Sequence, residues 1–291
     1  MKLSLVIPAK SKDDPKLAEL LRSIEAQDFL KQEMEVLVIT DGTSESAKAI
    51  GIRQAKGEVI GILASDNELI GSHFLKLMYD YTLINDSCYP SSYYHSKSDD
   101  ILNRYFSLIG GNDPLSFYMK KNDKFPYYYG TCNPSGSLGD NGFFIKKNLI
   151  EHTDLDNYYH IDNAVEAVGQ SNPVLGATIW HKTGGNIFSF FRKRYHYGLQ
   201  HAFNKNRRWH LVDFRQPKDI ARLIWFVIIG LTFVVPLMLS FRGYRKIQDV
   251  AWFLHPVVCF LTILTYTLVV IQLALRNLFP SSSAPMAAQR A

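Results

Sequence analysis

EVLVITDG (Glu35–Gly42) and EVIGILASD (Glu58–Asp66) are the two stretches whose reading decides the fold. Each is an apolar run of strand length, rich in Val, Ile and Leu, and each runs out onto an aspartate. Upstream, LSLVIPA (Leu3–Ala9) is a third such run, stopped by Pro8. A helix is expected after it: Asp13 or Asp14 can cap it, and Pro15 suits its first position. Leu17, Leu20, Leu21 and Ile24 then share one helical face. A second helix, Ser44 to Ala55, ends at Lys56-Gly57, and a third starts near Gly71. Apolar strands alternating with amphipathic helices imply a parallel sheet covered on both faces. Such α/β sheets bind ligands beyond the carboxyl ends of their strands. Asp41 and Asp66 both lie there, so the topology brings them to one crevice across 25 positions of sequence.

The rest of the chain divides by composition. It has 291 residues, 47% hydrophobic and 20% charged, with a net charge of +5. Residues 83–140 are rich in Tyr, Ser, Asn, Asp and Gly, and read as loops, short strands and a helix around Ile101 to Ile109. A Gly-rich turn, Gly136 to Gly142, precedes the apolar Phe143 to Ile145. Cys88, Cys132 and Cys259 are odd in number and widely spaced, which supports neither a disulfide framework nor a zinc site. Met1 to Pro8 is too short an apolar stretch for a signal peptide.

Two uncharged runs lie near the C-terminus, Leu223–Phe241 and Val250–Leu275. About 20 apolar residues of helix span a bilayer core, so both are long enough. Pro236 and Pro256 are candidate kinks. The short link between the runs implies a two-helix transmembrane hairpin over residues 219–279, followed by a disordered tail, 280–291. Cations crowd the approach to the first run and exceed those of the link, Arg242, Arg245 and Lys246, which places the preceding domain in the cytosol. Ile187–Phe203 mixes aromatics with Arg192, Lys193 and Arg194, and reads as an amphipathic interfacial helix within residues 187–218. Its expected partners are membrane lipids. No nucleic-acid partner is expected, because no recognised motif accompanies the cations.

Over residues 3–200 these landmarks, in order, resemble the family-2 glycosyltransferases of GT-A fold. LSLVIPA is similar to that family's first strand, and EVLVITDGTSES to the strand lying against the nucleotide. GIRQAKGEVIGILASDNEL resembles the segment leading to the metal-binding Asp-x-Asp. GDNGFFIKKNLI resembles the turn before the acceptor side, YHIDNAVEAV the motif of the catalytic base, and IWH the strand ending in a histidine near the diphosphate. The resemblance implies an α/β GT-A (Rossmann-like) domain over residues 1–186, preceding the membrane segments. It implies an inverting transferase that takes a sugar nucleotide and a lipid-linked or saccharide acceptor, with Mg²⁺ or Mn²⁺. KNRRW (Lys205–Trp209) has Lys where processive members have the Gln of Gln-x-x-Arg-Trp, so a non-processive enzyme is expected.

The same resemblance assigns roles. Pro8, Ala9 and Lys10 flank the base, Asp41 accepts from a base N–H, and Ser65, Asp66, Asp140 and Asn141 line the donor pocket. Asp66 is the expected metal ligand, with His181 either joining it on the metal or hydrogen-bonding the diphosphate, and Asp162 is the expected general base, with Asp140, Asp154, Asp156 and Glu166 as rivals. Ala64 departs from the pattern: it stands at the first Asp of Asp-x-Asp, leaving Ser65, Asn67 or Glu68 to substitute. A catalytically weak membrane scaffold of the same fold is the alternative that Ala64 supports. The residues by themselves allow plainer readings too: Asp41 as a helix cap, Asp66 as a turn carboxylate, His181 as a structural histidine.

Overall fold

The computed structural model describes residues 1–94, 100–109, 113–119, 141–155, 161, 171–182, 186–203, 212, 214 and 216–278. The chain divides into two compact units, Met1–Asp99 with Tyr127–Thr183, and Asp100–Pro126 with Gly184–Ala291. In chain order the first half holds β1 (Leu3–Pro8), α1 (Pro15–Glu25), β2 (Met34–Ile39), α2 (Ser44–Gln54), β3 (Val59–Leu63), β4 (Asn67–Leu69), α3 (Phe74–Ile84) and β5 (Ser87–Tyr94). There follow α4 (Ile101–Ile109), α5 (Pro114–Met119), β6 (Asn141–Lys146), α6 (Lys147–Ile150) and β7 (Ser171–His181). The C-terminal helices are α7 (Ile187–Phe203), α8 (Pro217–Thr232), α9 (Val234–Lys246) and α10 (His255–Leu278).

The first unit is one seven-stranded sheet, in the order β2-β1-β3-β6-β5-β7-β4. The three N-terminal strands are parallel, as their sequence implies. The later strands add antiparallel pairs. β6 runs antiparallel to both β3 and β5, and β4 antiparallel to β7, while β5 and β7 pair in parallel. The sheet is therefore mixed. β5 is an inner strand despite its polar sequence, and its register with β7 shifts between Pro90 and Ser92, where proline offers no N–H to the ladder.

Alternation along the strands fills two layers. Leu3, Leu5 and Ile7 of β1 face Leu17, Leu20 and Ile24 of α1 and Phe74, Leu75 and Met78 of α3. Val6 of β1 with Ile60 and Ile62 of β3 faces Ala49 and Ile52 of α2. The cap of α1 is Asp14, which accepts from Lys16 N at 2.9 Å, with Pro15 in the first turn. The cap of α2 is Thr43, whose hydroxyl accepts from Ser46 N at 3.3 Å. Asp41 is thus not the capping residue of that helix.

The second unit joins α4 and α5 to the C-terminal helices. Tyr105 and Phe106 of α4 pack with Trp252 and Val258, and Leu115 and Met119 of α5 with Phe226 and Cys259. His255 is buried between two phenols: Nδ1 lies 2.7 Å from the Tyr105 hydroxyl and Nε2 2.8 Å from that of Tyr118. Asp113 caps α5 by accepting from Leu115 N at 2.8 Å, and its other oxygen meets both Arg194 Nη1, at 3.3 Å, and the Tyr266 hydroxyl.

The expected first membrane helix, Leu223–Phe241, is not one helix. It breaks at Phe233, whose φ is 61°, and α8 and α9 meet at an angle of 83°. The cause is Pro236, whose ring crowds the carbonyl four residues back, at Thr232, where α8 stops. Val250–Arg276 is long and apolar enough to cross a membrane, and Pro256 sits in the first turn of α10, where proline is tolerated.

Candidate active site

The site is assembled where three parallel strands end. β1 lies between β2 and β3, so about 10 Å, two strand spacings, separates the ends that carry Asp41 and the Asp66 turn. Pro8 closes β1 and is buried, and Ala9 N extends the ladder by donating to Ile39 O at 2.9 Å. Lys10 and Asp41 are exposed just beyond. Gly42 has a φ of +81°, which a side chain resists. The Asp41-Gly42 pair therefore turns the chain sharply and leaves Asp41 at the strand tip.

β3 ends in a tight turn, Ala64 to Asn67, with Asn67 N donating to Ala64 O at 3.0 Å. Asn67 closes the turn a second time, its Oδ1 accepting from Ala64 N at 2.9 Å. The chain then re-enters the sheet as β4, paired with the end of β7 so that Asn67 opposes His181. This pairing brings Asp66 and His181 together: Nε2 of His181 lies 3.4 Å from Oδ1 of Asp66, with both residues half-buried.

The next residue locks the arrangement. Lys182 N donates to Asp66 O at 2.9 Å. Its ammonium contacts Glu19 at 2.6 Å and Glu68 at 2.5 Å, and lies over the Trp180 ring at 4.2 Å. Lys16 Nζ donates to the Lys182 carbonyl at 2.7 Å. Burial pulls the Lys182 pKa down, but its bonds to Glu19 and Glu68 outweigh that and hold it above the ordinary lysine value. The Lys182 bond holds Glu19 below the ordinary carboxylate value.

These contacts narrow what can stand in for the missing acid at Ala64. Asn67 is buried and turned into its own turn, and Glu68 is drawn to Lys182. Ser65 is half-buried at the turn's tip. Among the described residues no group of three His, Cys, Asp or Glu side chains gathers as a metal cage. The pair that does gather, a hard carboxylate and an imidazole, suits a divalent cation that draws its other ligands from water and substrate phosphates.

Asp162 and Asp140, with the rivals Asp156 and Glu166, lie outside the described residues. Asn141 begins β6, opposite Leu63 at the end of β3, so its backbone lies at the same end of the sheet as Asp66. Asp154 follows α6, before the second layer's Leu155. A contact that the sequence did not disclose lies one residue before Asp162. Ile161 N donates to Glu45 Oε2 at 2.8 Å, and Glu45 Oε1 pairs at 2.5 Å with Lys48, whose side chain is fully buried. The spacing of Glu45 and Lys48, one helical turn, was the visible signal. Its burial was not visible.

No family model and no curated protein matches the chain by sequence. Among solved structures, the chain is similar to the mannosyltransferase PcManGT from Pyrobaculum calidifontis, in complex with GDP-Man and Mn²⁺: 12% identity, TM-score 0.48, covering 97% of this chain and 88% of that one. It is also similar to S. aureus TarS, at 15% identity and a TM-score of 0.39, covering 68% of this chain. A third likeness is A197 from STIV, at 12% identity and a TM-score of 0.39, covering 62% of this chain and 85% of that one. The chain spans 40% of the TarS structure.

Proposed function

We propose that the chain is an inverting glycosyltransferase of the family-2 type, moving a sugar from a nucleoside-diphosphate donor to a lipid-linked or saccharide acceptor at a membrane surface. The observation that carries this reading is the meeting of Asp66 and His181 at the carboxyl end of the β2-β1-β3 strands, beside the Asp41 turn. Asp41, Ala9 and Lys10 would receive the base, with Pro8 as the floor beneath it. Ser65 and Asp66 would lie along the ribose and diphosphate, and Asn141 and Asp140 beside the sugar. Asp66 and His181 would hold Mg²⁺ or Mn²⁺, which when bound supplies positive charge against the departing diphosphate. The acceptor oxygen attacks the anomeric carbon opposite the diphosphate, the carbon–oxygen bond to the diphosphate breaks, and Asp162 takes the acceptor's proton. The catalytic unit faces the cytosol, where nucleotide sugars are available, and the C-terminal helices attach it to the membrane.

The test is thermal-shift screening of the purified protein against a panel of sugar nucleotides, with and without Mn²⁺. One donor should raise Tm only with the metal, and Asp66→Ala should abolish the shift. No shift with any donor overturns the reading. Ala64 favours a second reading, a domain that binds a donor without transferring it. A metal-dependent Tm shift with neither transfer nor donor hydrolysis would select it.

A further inference from the structure

The helices of the second unit raise a question of topology that rests on the membrane attachment proposed above: whether the chain crosses the bilayer or lies within one leaflet. The bent pair is too short to cross. α8 opens with Lys218, Asp219 and Arg222, so its uncharged part is Leu223–Thr232, ten residues or about 15 Å of helix. After the bend of 83°, α9 stays uncharged only to Phe241, about 12 Å, before Arg242, Arg245 and Lys246. A hydrocarbon core is about 30 Å thick. Each arm reaches halfway, and both end in cations. Exposed side chains run around the bend as one apolar stripe, through Ile224, Ile228, Leu231, Phe233, Leu237 and Phe241.

α10 has the length to cross, but its flank is occupied. Arg194 of α7 and Tyr266 of α10 meet on the same oxygen of Asp113. Gly198 lies so close to α10 that a Cβ there would come within 2.8 Å of Val269. α7 therefore runs beside the middle of α10, carrying exposed Arg192, Lys193 and His196. Tyr266 is ten residues from Arg276, about 15 Å, which is mid-core for a crossing helix. A crossing would hold Arg192 and Lys193 in hydrocarbon, where a charged side chain is costly. The opposite face of α10 shows Val257, Leu264, Leu268, Ile271 and Leu275, one apolar stripe of helical period.

We propose that this unit is monotopic. The α8–α9 elbow and the outer stripe of α10 sit in one leaflet of an anionic bilayer, and no segment crosses. The cations at the two ends of the elbow, Lys218 with Arg242, Arg245 and Lys246, meet anionic headgroups on the same side, while Arg222 is held by Asp219 and the Met119 carbonyl. The expected transmembrane hairpin differs at one place, the link after α9, which it would put on the far side.

The experiment uses the full chain with Cys132→Ser, since Cys88 and Cys259 are buried. Single cysteines are placed at two exposed sites, Lys12→Cys in the first unit and Gln248→Cys in the link. The protein is bound to sealed vesicles of phosphatidylcholine and phosphatidylglycerol and treated from outside with a membrane-impermeant maleimide. Both sites should label to the same extent. Lys12→Cys labelled with Gln248→Cys protected until detergent is added would overturn the proposal in favour of a hairpin. Failure to float with the vesicles would overturn membrane attachment itself. Changing Arg242, Arg245 and Lys246 to Gln together should weaken partition onto phosphatidylglycerol vesicles about 100-fold, at about 1 kcal/mol per cation. Unchanged partition would remove the headgroup contact.

Discussion

His181 stands with its Nε2 3.4 Å from an Asp66 carboxylate oxygen, although the two residues are 115 apart in sequence. β4 makes the meeting possible. It is three residues long, and it hydrogen-bonds the chain leaving Asp66 to the end of β7, so the backbones that carry the two side chains are held next to each other.

The first prediction follows from that pairing. Asp66→Ala should lose Mn²⁺-dependent donor binding altogether. His181→Ala, which removes a proposed direct ligand, should weaken it by at least the roughly 10- to 100-fold that loss of an outer-shell partner costs. Mn²⁺ titration in the presence of donor, followed by calorimetry, separates the two. An unchanged affinity in His181→Ala would make that histidine structural.

The second prediction concerns the clamp that fixes β7. Lys182→Met leaves Glu19 and Glu68 without their shared cation and should cost about 1 kcal/mol or less for each partly exposed pair. The pH dependence has two limbs. Glu19 is more acidic in the folded chain than its ordinary value, so its contribution is present at neutral pH and lost as pH falls through the folded pKa. Lys182 is more basic, so its contribution is present below the ordinary lysine value and lost only as pH rises beyond it. The Tm difference between wild type and Lys182→Met should therefore be widest near neutral pH and close at both extremes.

The parallel half of the sheet was legible because its signals are local. β1 and β3 are apolar enough to be buried on both faces, and Asp14-Pro15 announces a helix start. What escaped depends on distant partners. β4 contains Asn67 and Glu68 and is a strand only because β7 lies beside it. β5, SCYPSSYY, is polar in composition yet internal, since β6 and β7 flank it. The antiparallel entry of β6 is fixed by its pairing with β3, which no periodicity records. Of the candidate site, the strand-end positions of Asp41, Asp66 and His181 could be read from sequence. The capture of Glu68 by Lys182 could not, because it needs α1 and β7 in place.

A third prediction lies at the far end of the same strands. The buried Ser4 hydroxyl donates to Glu35 at 2.6 Å and accepts from Gly57 N at 2.7 Å, tying β1, β2 and the entry to β3. Burial raises the Glu35 pKa, but bonds from Ser4 and from Lys56 N outweigh it and leave the group more acidic than usual. Ser4→Ala should cost about 1–3 kcal/mol, because it strips a buried N–H of its acceptor. Glu35's contribution is held above the ordinary carboxylate value and lost as pH falls through the folded pKa. The variant should therefore lose less stability on acidification than wild type, which urea unfolding at neutral and mildly acid pH measures.

The last prediction concerns Glu45, which does two things at once. One oxygen pairs with Lys48, buried within α2's inner face, and the other accepts from Ile161 N, the residue before Asp162. Glu45→Ala breaks a buried ion pair and should destabilise by about 3–5 kcal/mol in urea unfolding. Replacing both partners, as Glu45→Met with Lys48→Met, removes the buried charges together, takes the acceptor from Ile161 N, and should recover part of that loss. If Glu45 serves only the fold, the double variant should recover donor turnover along with stability. If it also positions the segment leading to Asp162, the double variant should regain stability while kcat stays low and donor KM stays unchanged. Full recovery of kcat in the double variant would assign Glu45 to the fold alone.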